Sequence, residues 1–235
     1  MPKPFVPLSL EQFAERLQQF RFRRRINEVH LHHTWRPNHA EFQCHPPEAC
    51  IEGMWRSHTQ DRGFSDIAQH VTVDPRGVIW TGRDWNTPPA SATGFNGTYA
   101  VGPFMIETIG DFDIGHDPFV DPQKAGVLGV IARVQQRFSL EPEALRFHNQ
   151  MSSKTCPGTQ IKYEPFLAEV RALRRGAGVQ PSMPKRGGDV QSHDPRSVPA
   201  RQSSQNSGDP APPETLAALA DRIAKIEQRL DKLGA

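Results

Sequence analysis

The stretch INEVHLH at residues 26–32 alternates apolar and polar side chains, the period-two pattern of a β-strand with one buried face. A second stretch, QHVTVDPRGVIW at 69–80, places two β-rich runs on either side of a turn at 74–77, which predicts a hairpin. The run PFMIETI at 103–109 predicts a buried strand. A β-sheet is therefore expected at the centre of the fold.

Helical patterns surround these strands. Residues 9–20 predict an amphipathic helix opened by Ser9, and residues 163–174 predict a closing helix. Residues 121–138 predict a third helix, whose apolar stripe has helical spacing. The stripe consists of Val127, Val130, Ile131 and Val134. We therefore expect an α/β domain over 26–174, with a mixed central β-sheet flanked by helices.

The flanking segments differ in composition from this domain. Residues 1–25 hold the first helix and the basic run RFRRR at 21–25, interpreted as a solvated face, with a wall-binding patch as the alternative. Residues 175–213 are rich in Gly, Pro, Ser, Gln and Asp, which predicts a disordered linker. A regular apolar pattern returns only after this linker.

The last segment, 214–235, predicts a short coiled-coil helix. Its apolar residues follow the alternating three-and-four spacing of a heptad seam. They are Leu216, Leu219, Ile223, Ile226, Leu230 and Leu233. We expect a homo-oligomer formed through 214–233. The alternative is a lone amphipathic helix that packs on its own domain.

The composition excludes several classes of protein. The chain has 235 residues and a net charge of +2, which is not a nucleic-acid-binding signature but is compatible with an anionic polymer substrate. No apolar stretch is long enough to span a membrane. Residues 1–10 lack a signal-peptide core, so we expect the protein to be cytoplasmic at synthesis, and any action outside the cytoplasm would need lysis or specialised export. Cys44 and Cys50 are interpreted as free thiols, with pairing in an oxidising compartment as the alternative.

Two motifs carry residues that bind metals. The sequence HLHHTW at 30–35 places imidazoles at the end of a predicted strand, and HNQMSSKTCPG at 148–158 adds a histidine, a lysine and a cysteine. Histidine and cysteine are preferred zinc ligands, and a catalytic zinc site uses three protein ligands with one open position. Because the chain has 10 histidines, these motifs alone indicate only an unspecified His/Cys metal site.

The motifs resemble, in order and spacing, those of the type 2 N-acetylmuramoyl-L-alanine amidases, a family that includes phage lysozyme-type amidases and animal peptidoglycan recognition proteins. The matching motifs are HHTW, DRGFSDIAQHVTVDPRGVIWTGRDWN, GFN and H-x7-C-P-G, spread over about 26–170. The resemblance implies a Zn²⁺ site formed by His32, His148 and Cys156. Binding-only members typically lack the cysteine, so Cys156 implies an active enzyme. His33 is expected to be a neighbour of the site or a core residue.

The resemblance also implies catalytic residues. Lys154 matches a catalytic lysine that stabilises the oxyanion, with an exposed loop lysine as the alternative. Many members have a catalytic tyrosine where this chain has Gln69. A second branch of the family uses a strand glutamate instead, which corresponds to Glu107 here. We expect Glu107 to activate water, with a solvent-facing strand residue as the alternative.

Four further residues match positions that line the family's substrate groove. They are His70, Arg83, Trp85 and Asn96. A buried core histidine is the alternative for His70. The family often has a histidine near the position of Ser91, so contacts with the stem peptide are expected to differ here.

The resemblance therefore implies a zinc-dependent N-acetylmuramoyl-L-alanine amidase. Its reaction would be hydrolysis of the amide bond between N-acetylmuramic acid and L-alanine, in peptidoglycan or in muropeptides. The alternative is a peptidoglycan-binding sensor or adaptor with a degenerate amidase domain and no catalytic activity. We expect no nucleic-acid partner.

Overall fold

A computed structural model describes residues 4–177 of the chain. The predicted coiled-coil helix at 214–235 and the linker beyond Ala177 lie outside the described residues, so both stay predictions. Within 4–177 no helix is long and apolar enough to cross a membrane.

One mixed β-sheet forms the centre of the fold, as predicted. Its strands are β1 Pro7–Leu8, β2 Arg25–His33, β3 Val71–Val73, β4 Ile79–Thr81, β5 Val101–Thr108 and β6 Leu145–Phe147. They lie in the order β1-β4-β3-β5-β2-β6. β2 pairs in parallel with both β5 and β6, and β3 also runs parallel to β5. The hairpin of β3 and β4 and the pair of β1 and β4 are antiparallel.

The helices in the described part are α1 Leu10–Gln19, α2 His39–Gln43, α3 Pro47–Arg56, α4 Gln123–Arg137 and α5 Tyr163–Ala177, with short π or 3₁₀ turns at Ser57–Asp61, Pro142–Ala144 and His148–Gln150. α1 begins at the predicted residue, because the Ser9 hydroxyl accepts the N–H of Gln12 and the Gln12 side chain accepts the N–H of Ser9. α5 continues past its predicted end at 174, so the first residues assigned to the linker are helical.

The two faces of the sheet have different partners. Val29 and Leu31 of β2 and Phe104 and Ile106 of β5 belong to the main core, together with the predicted apolar stripe of α4. Alternation along β2 and β5 sends the intervening side chains to the opposite face. Those side chains include His30, His32, Met105 and Glu107, which are register partners in pairs. One face therefore stabilises the fold, and the other supplies polar residues.

The segment 38–61 carries structure that the sequence analysis did not predict. α2, α3 and the π turn that follows form a wall above the polar face of the sheet. They close over a second apolar cluster that includes Phe42, Ile51 and Trp80. Cys44 is exposed and Cys50 is buried, and both are free thiols.

Candidate metal centre and substrate groove

The structure brings together the three side chains predicted as metal ligands. His32 is the penultimate residue of β2, His148 directly follows β6, and Cys156 lies on the next loop. Parallel strands place their carboxyl ends at the same edge of a sheet, which explains how residues so distant in sequence meet. One candidate ligand atom from each residue lies within 4.8 Å of the others.

The protonation states at this cluster suit a metal. Burial lowers the pKa of His32 well below its usual value. Burial and the nearby Lys154 lower the pKa of His148 to about 4. Both imidazoles therefore keep a lone pair available for a cation at neutral pH.

The sulfur is also placed as a metal ligand requires. Burial raises the pKa of the Cys156 thiol, so a thiolate at this position needs a positive charge beside it. The backbone N–H of His33 donates to the Cys156 sulfur at 3.2 Å. The two imidazoles and the sulfur form the nitrogen and sulfur donor set that zinc prefers, so the residues present fit this metal.

Glu107 lies beside this cluster on the neighbouring strand. It is 8% exposed and lines the same groove as the three candidate ligands. Burial raises its pKa to about 8, against the opposing effects of the Arg62 and Lys154 charges. A carboxylate with a raised pKa accepts a proton more readily than one on the surface. The solvent-facing alternative for Glu107 does not agree with this burial.

Lys154 lies on the exposed loop between His148 and Cys156 and lines the groove. Its charge lowers the pKa of both His148 and Glu107. The ammonium group is therefore near the cluster and in the same groove.

The groove has a volume of about 1370 Å³ and one wall that sequence analysis missed. α3 and the turn after it contribute Arg56, His58 and Arg62 to this wall. The Nδ1 atom of His58 accepts the backbone N–H of Ala68 at 3.1 Å, and burial lowers the pKa of His58 to about 4. The wall therefore combines exposed arginines with a neutral histidine.

Three of the four residues predicted to contact substrate are buried and do not line the groove. His70 is fully buried, with Nδ1 accepting from the Met105 backbone N–H at 2.9 Å and Nε2 donating to the Thr87 carbonyl at 2.9 Å. The Arg83 guanidinium donates to the carbonyls of three residues in adjacent loops. Trp85 is packed in the main core. These contacts are structural, and for His70 they agree with the alternative of a buried core histidine.

Asn96 does line the groove, but its side-chain oxygen is already engaged. Oδ1 accepts the backbone N–H groups of Ser91 at 2.7 Å and Ala92 at 3.0 Å. Asn96 therefore shapes the loop that carries Ser91. Gln69, at the position of the family's tyrosine, is buried and donates to the Thr72 hydroxyl at 2.8 Å.

Comparisons with known proteins agree with this architecture. A family model described as N-acetylmuramoyl-L-alanine amidase matches residues 22–159. Peptidoglycan-recognition protein SC2 of Drosophila melanogaster is 26% identical over 135 residues, which are 56% of this chain and 67% of that protein. Wild-type Drosophila PGRP-LB has a TM-score of 0.51 and 23% identity, over 65% of this chain and 84% of that one.

A second solved structure has a similar fold. The complex of tracheal cytotoxin with the ectodomains of peptidoglycan recognition proteins LCa and LCx has a TM-score of 0.50 and 22% identity. The alignment covers 60% of this chain and 80% of that one. At these identities the two solved structures bear on the fold alone.

Proposed function

The chain belongs to the N-acetylmuramoyl-L-alanine amidase family, whose model matches more than half of its length, and we propose that it is a zinc-dependent enzyme of that family. The proposed reaction is hydrolysis of the amide bond between the lactyl group of N-acetylmuramic acid and L-alanine, in peptidoglycan or muropeptides. The observation that carries this proposal is the cluster of His32, His148 and Cys156 at the base of an open groove, with Glu107 beside it.

The three clustered side chains would hold the zinc. Bound there, zinc would supply Lewis acidity, which polarises a carbonyl and acidifies water. The protein contributes the binding geometry, because His32 and His148 are fixed at the ends of two paired strands. The open groove leaves room for substrate next to this cluster.

Glu107 would act as the general base and then as the general acid. Its carboxylate takes a proton from the attacking water as the new C–O bond forms at the amide carbonyl carbon. It then returns that proton to the L-alanine nitrogen as the C–N bond breaks. The products are a lactyl carboxylate and a peptide with a free amino terminus. The raised pKa of Glu107 suits both proton transfers near neutral pH.

Lys154 would stabilise the negative charge that develops on the carbonyl oxygen. An ammonium group on an exposed loop is free to approach substrate from the open side of the groove. Such electrostatic stabilisation is worth most when the charge appears only in the transition state.

A non-catalytic peptidoglycan sensor is the second candidate, because Gln69 stands where many catalytic members have tyrosine. One experiment separates the two functions. Purified protein is incubated with purified peptidoglycan, with and without a chelator, and newly released amino termini are quantified by mass spectrometry. Chelator-sensitive release of peptides that begin with L-alanine supports the enzyme. Binding to peptidoglycan with no release would favour the sensor.

A further inference from the structure

A serine hydroxyl links two histidines on the polar face of the sheet. Ser91 Oγ lies 2.7 Å from His32 Nε2 and 2.9 Å from His30 Nδ1. His30 is 0% exposed, His32 is 3% exposed and Ser91 is 8% exposed. Water therefore has little access to these contacts, and the three groups satisfy one another. His32 is the candidate ligand, whereas His30 does not belong to the metal cluster.

The hydrogen-bonded chain continues away from the cluster. His30 Nε2 lies 3.0 Å from a carboxylate oxygen of Glu28, whose other oxygen lies 3.3 Å from Nε of Arg146. The chain therefore ends at a carboxylate that is paired with an arginine near the surface. An ionised carboxylate only accepts hydrogen bonds, so His30 must present its proton to Glu28 from Nε2.

This end point sets the direction of every bond in the chain. A neutral imidazole has one ring proton, so His30 Nδ1 accepts, and Ser91 donates its hydroxyl proton to it. The Ser91 oxygen then accepts from Nε2–H of His32. The opposite direction would put the lone pair of His30 Nε2 against the Glu28 carboxylate.

We propose that Ser91, oriented by His30 and Glu28, is the positioning residue that fixes His32 in its Nε2–H tautomer and leaves Nδ1 to bind zinc. This inference rests on the proposed function, because it assigns the atom that His32 offers to the metal. Metal-binding histidines generally donate their second ring N–H to a carboxylate, a backbone carbonyl or water, which fixes both tautomer and ring orientation, and the Ser91 oxygen would take that place here.

Hydrogen bonds within the loop around Ser91 hold its hydroxyl in place. Asn96 accepts the backbone N–H groups of Ser91 and Ala92 with a single oxygen. The Ser91 side chain therefore lies on a loop whose backbone is held by hydrogen bonds from another residue of the same loop. Asn96 therefore has a structural role in this loop, which differs from the predicted contact with substrate.

Zinc affinity of three variants tests the proposal. Ser91→Ala removes the acceptor, Ser91→Thr retains a hydroxyl, and Ser65→Ala makes the matched change at an exposed serine outside the groove. Dissociation constants are measured by competition with a chromophoric chelator on protein that has been stripped and reloaded. We expect Ser91→Ala to bind zinc about 10-fold to 100-fold more weakly. Ser91→Thr and Ser65→Ala should stay close to wild type.

Either of two results would overturn the inference while leaving the proposed function intact. One is zinc affinity in Ser91→Ala equal to that of the wild type. The other is an equal loss in Ser91→Thr, which would implicate side-chain size instead of the hydroxyl. Wild-type protein that binds no zinc would overturn the proposed function as well.

A measurement on wild-type protein avoids any question of variant folding. Long-range proton–nitrogen correlation spectra of the zinc-loaded protein report the tautomer of each histidine. The proposal requires a proton on Nε2 of His32 and on Nε2 of His30. A proton on Nδ1 of His32 would overturn it.

Discussion

His32 and Glu107 are register partners on the parallel strands β2 and β5, so a candidate zinc ligand lies directly beside the candidate base. Paired strands lie about 4.8 Å apart, and register partners project to the same face of the sheet. The backbone pairing therefore fixes the lateral separation between the ligand and the base. A loop-borne base would not be held to the ligand in this way.

The first prediction concerns metal content. Wild-type protein should retain about one zinc per chain after dialysis, because three protein ligands with an open position form a typical catalytic site. Cys156→Ser should lose most of this zinc, since the sulfur ligand is removed. Cys44→Ser is the matched control, because Cys44 is an exposed free thiol outside the cluster. Elemental analysis that finds full zinc in Cys156→Ser would contradict the assigned ligand.

The second prediction separates the base from the ligands. Glu107→Gln should lower kcat by about 10²-fold to 10⁴-fold, the usual contribution of general acid–base catalysis, and should keep its zinc. Glu15→Gln makes the same change on the exposed side of α1 and should remain fully active. Unchanged turnover in Glu107→Gln would remove Glu107 from the mechanism. Loss of zinc together with activity would instead indicate a ligand role.

The third prediction concerns Lys154. Lys154→Met should lower kcat by about 10²-fold to 10³-fold, as removal of one oxyanion donor does elsewhere, with little change in zinc content. Lys154→Arg should restore part of the rate, because it keeps a positive charge. Lys162→Met, at an exposed lysine outside the groove, is the control. Equal rates in wild type and Lys154→Met would support the alternative of a plain loop lysine.

Several parts of the fold could be predicted from local sequence patterns. Ser9 and Gln12 form a capping box, and the alternation through Glu107 places it opposite the core residues Phe104 and Ile106. These features depend on residues close together in the chain. The prediction that His148 lies close to His32 came from the resemblance, because sequence spacing alone does not show that these two residues meet in the fold.

Other features depend on tertiary contacts that no local pattern reveals. His70 and Arg83 satisfy backbone groups on other segments of the chain, and a motif match does not distinguish such residues from those that face a substrate. α3 was missed although Pro47 stands at its first turn, a favoured helix start. The one available signal for Ser91 was its position near the family's usual histidine.

The fourth prediction is a pH dependence of stability that originates at His70. Its pKa in the folded protein is lowered to about 3, mainly by burial. The unfolded chain therefore binds more protons between pH 6.5 and 3, and stability falls as the pH drops through this range. The limiting slope from this residue is about 1.4 kcal/mol per pH unit.

Denaturant titrations of metal-free protein at several pH values between 7.5 and 4.5 measure this effect. His70→Gln should be less stable at pH 7.5, because it satisfies the two backbone groups less well. It should also lose stability less steeply on acidification, since an amide does not titrate. His45→Gln, at an exposed histidine, should keep the wild-type slope. A wild-type slope in His70→Gln would assign the pH dependence to other histidines.

The last prediction concerns the C-terminal segment. The heptad seam from Leu216 to Leu233 should drive self-association, because an apolar stripe of that length is unfavourable in water. Truncation after Val179, just past α5, should therefore give a monomer in light scattering. Its activity on small soluble muropeptides should stay near that of the full chain, whereas activity on intact peptidoglycan should fall as avidity is lost. A full-length monomer at tens of micromolar would favour a helix that packs on its own domain. Equal activity of the full chain and the truncated protein on intact peptidoglycan would show that the heptad seam does not contribute to activity on the polymer.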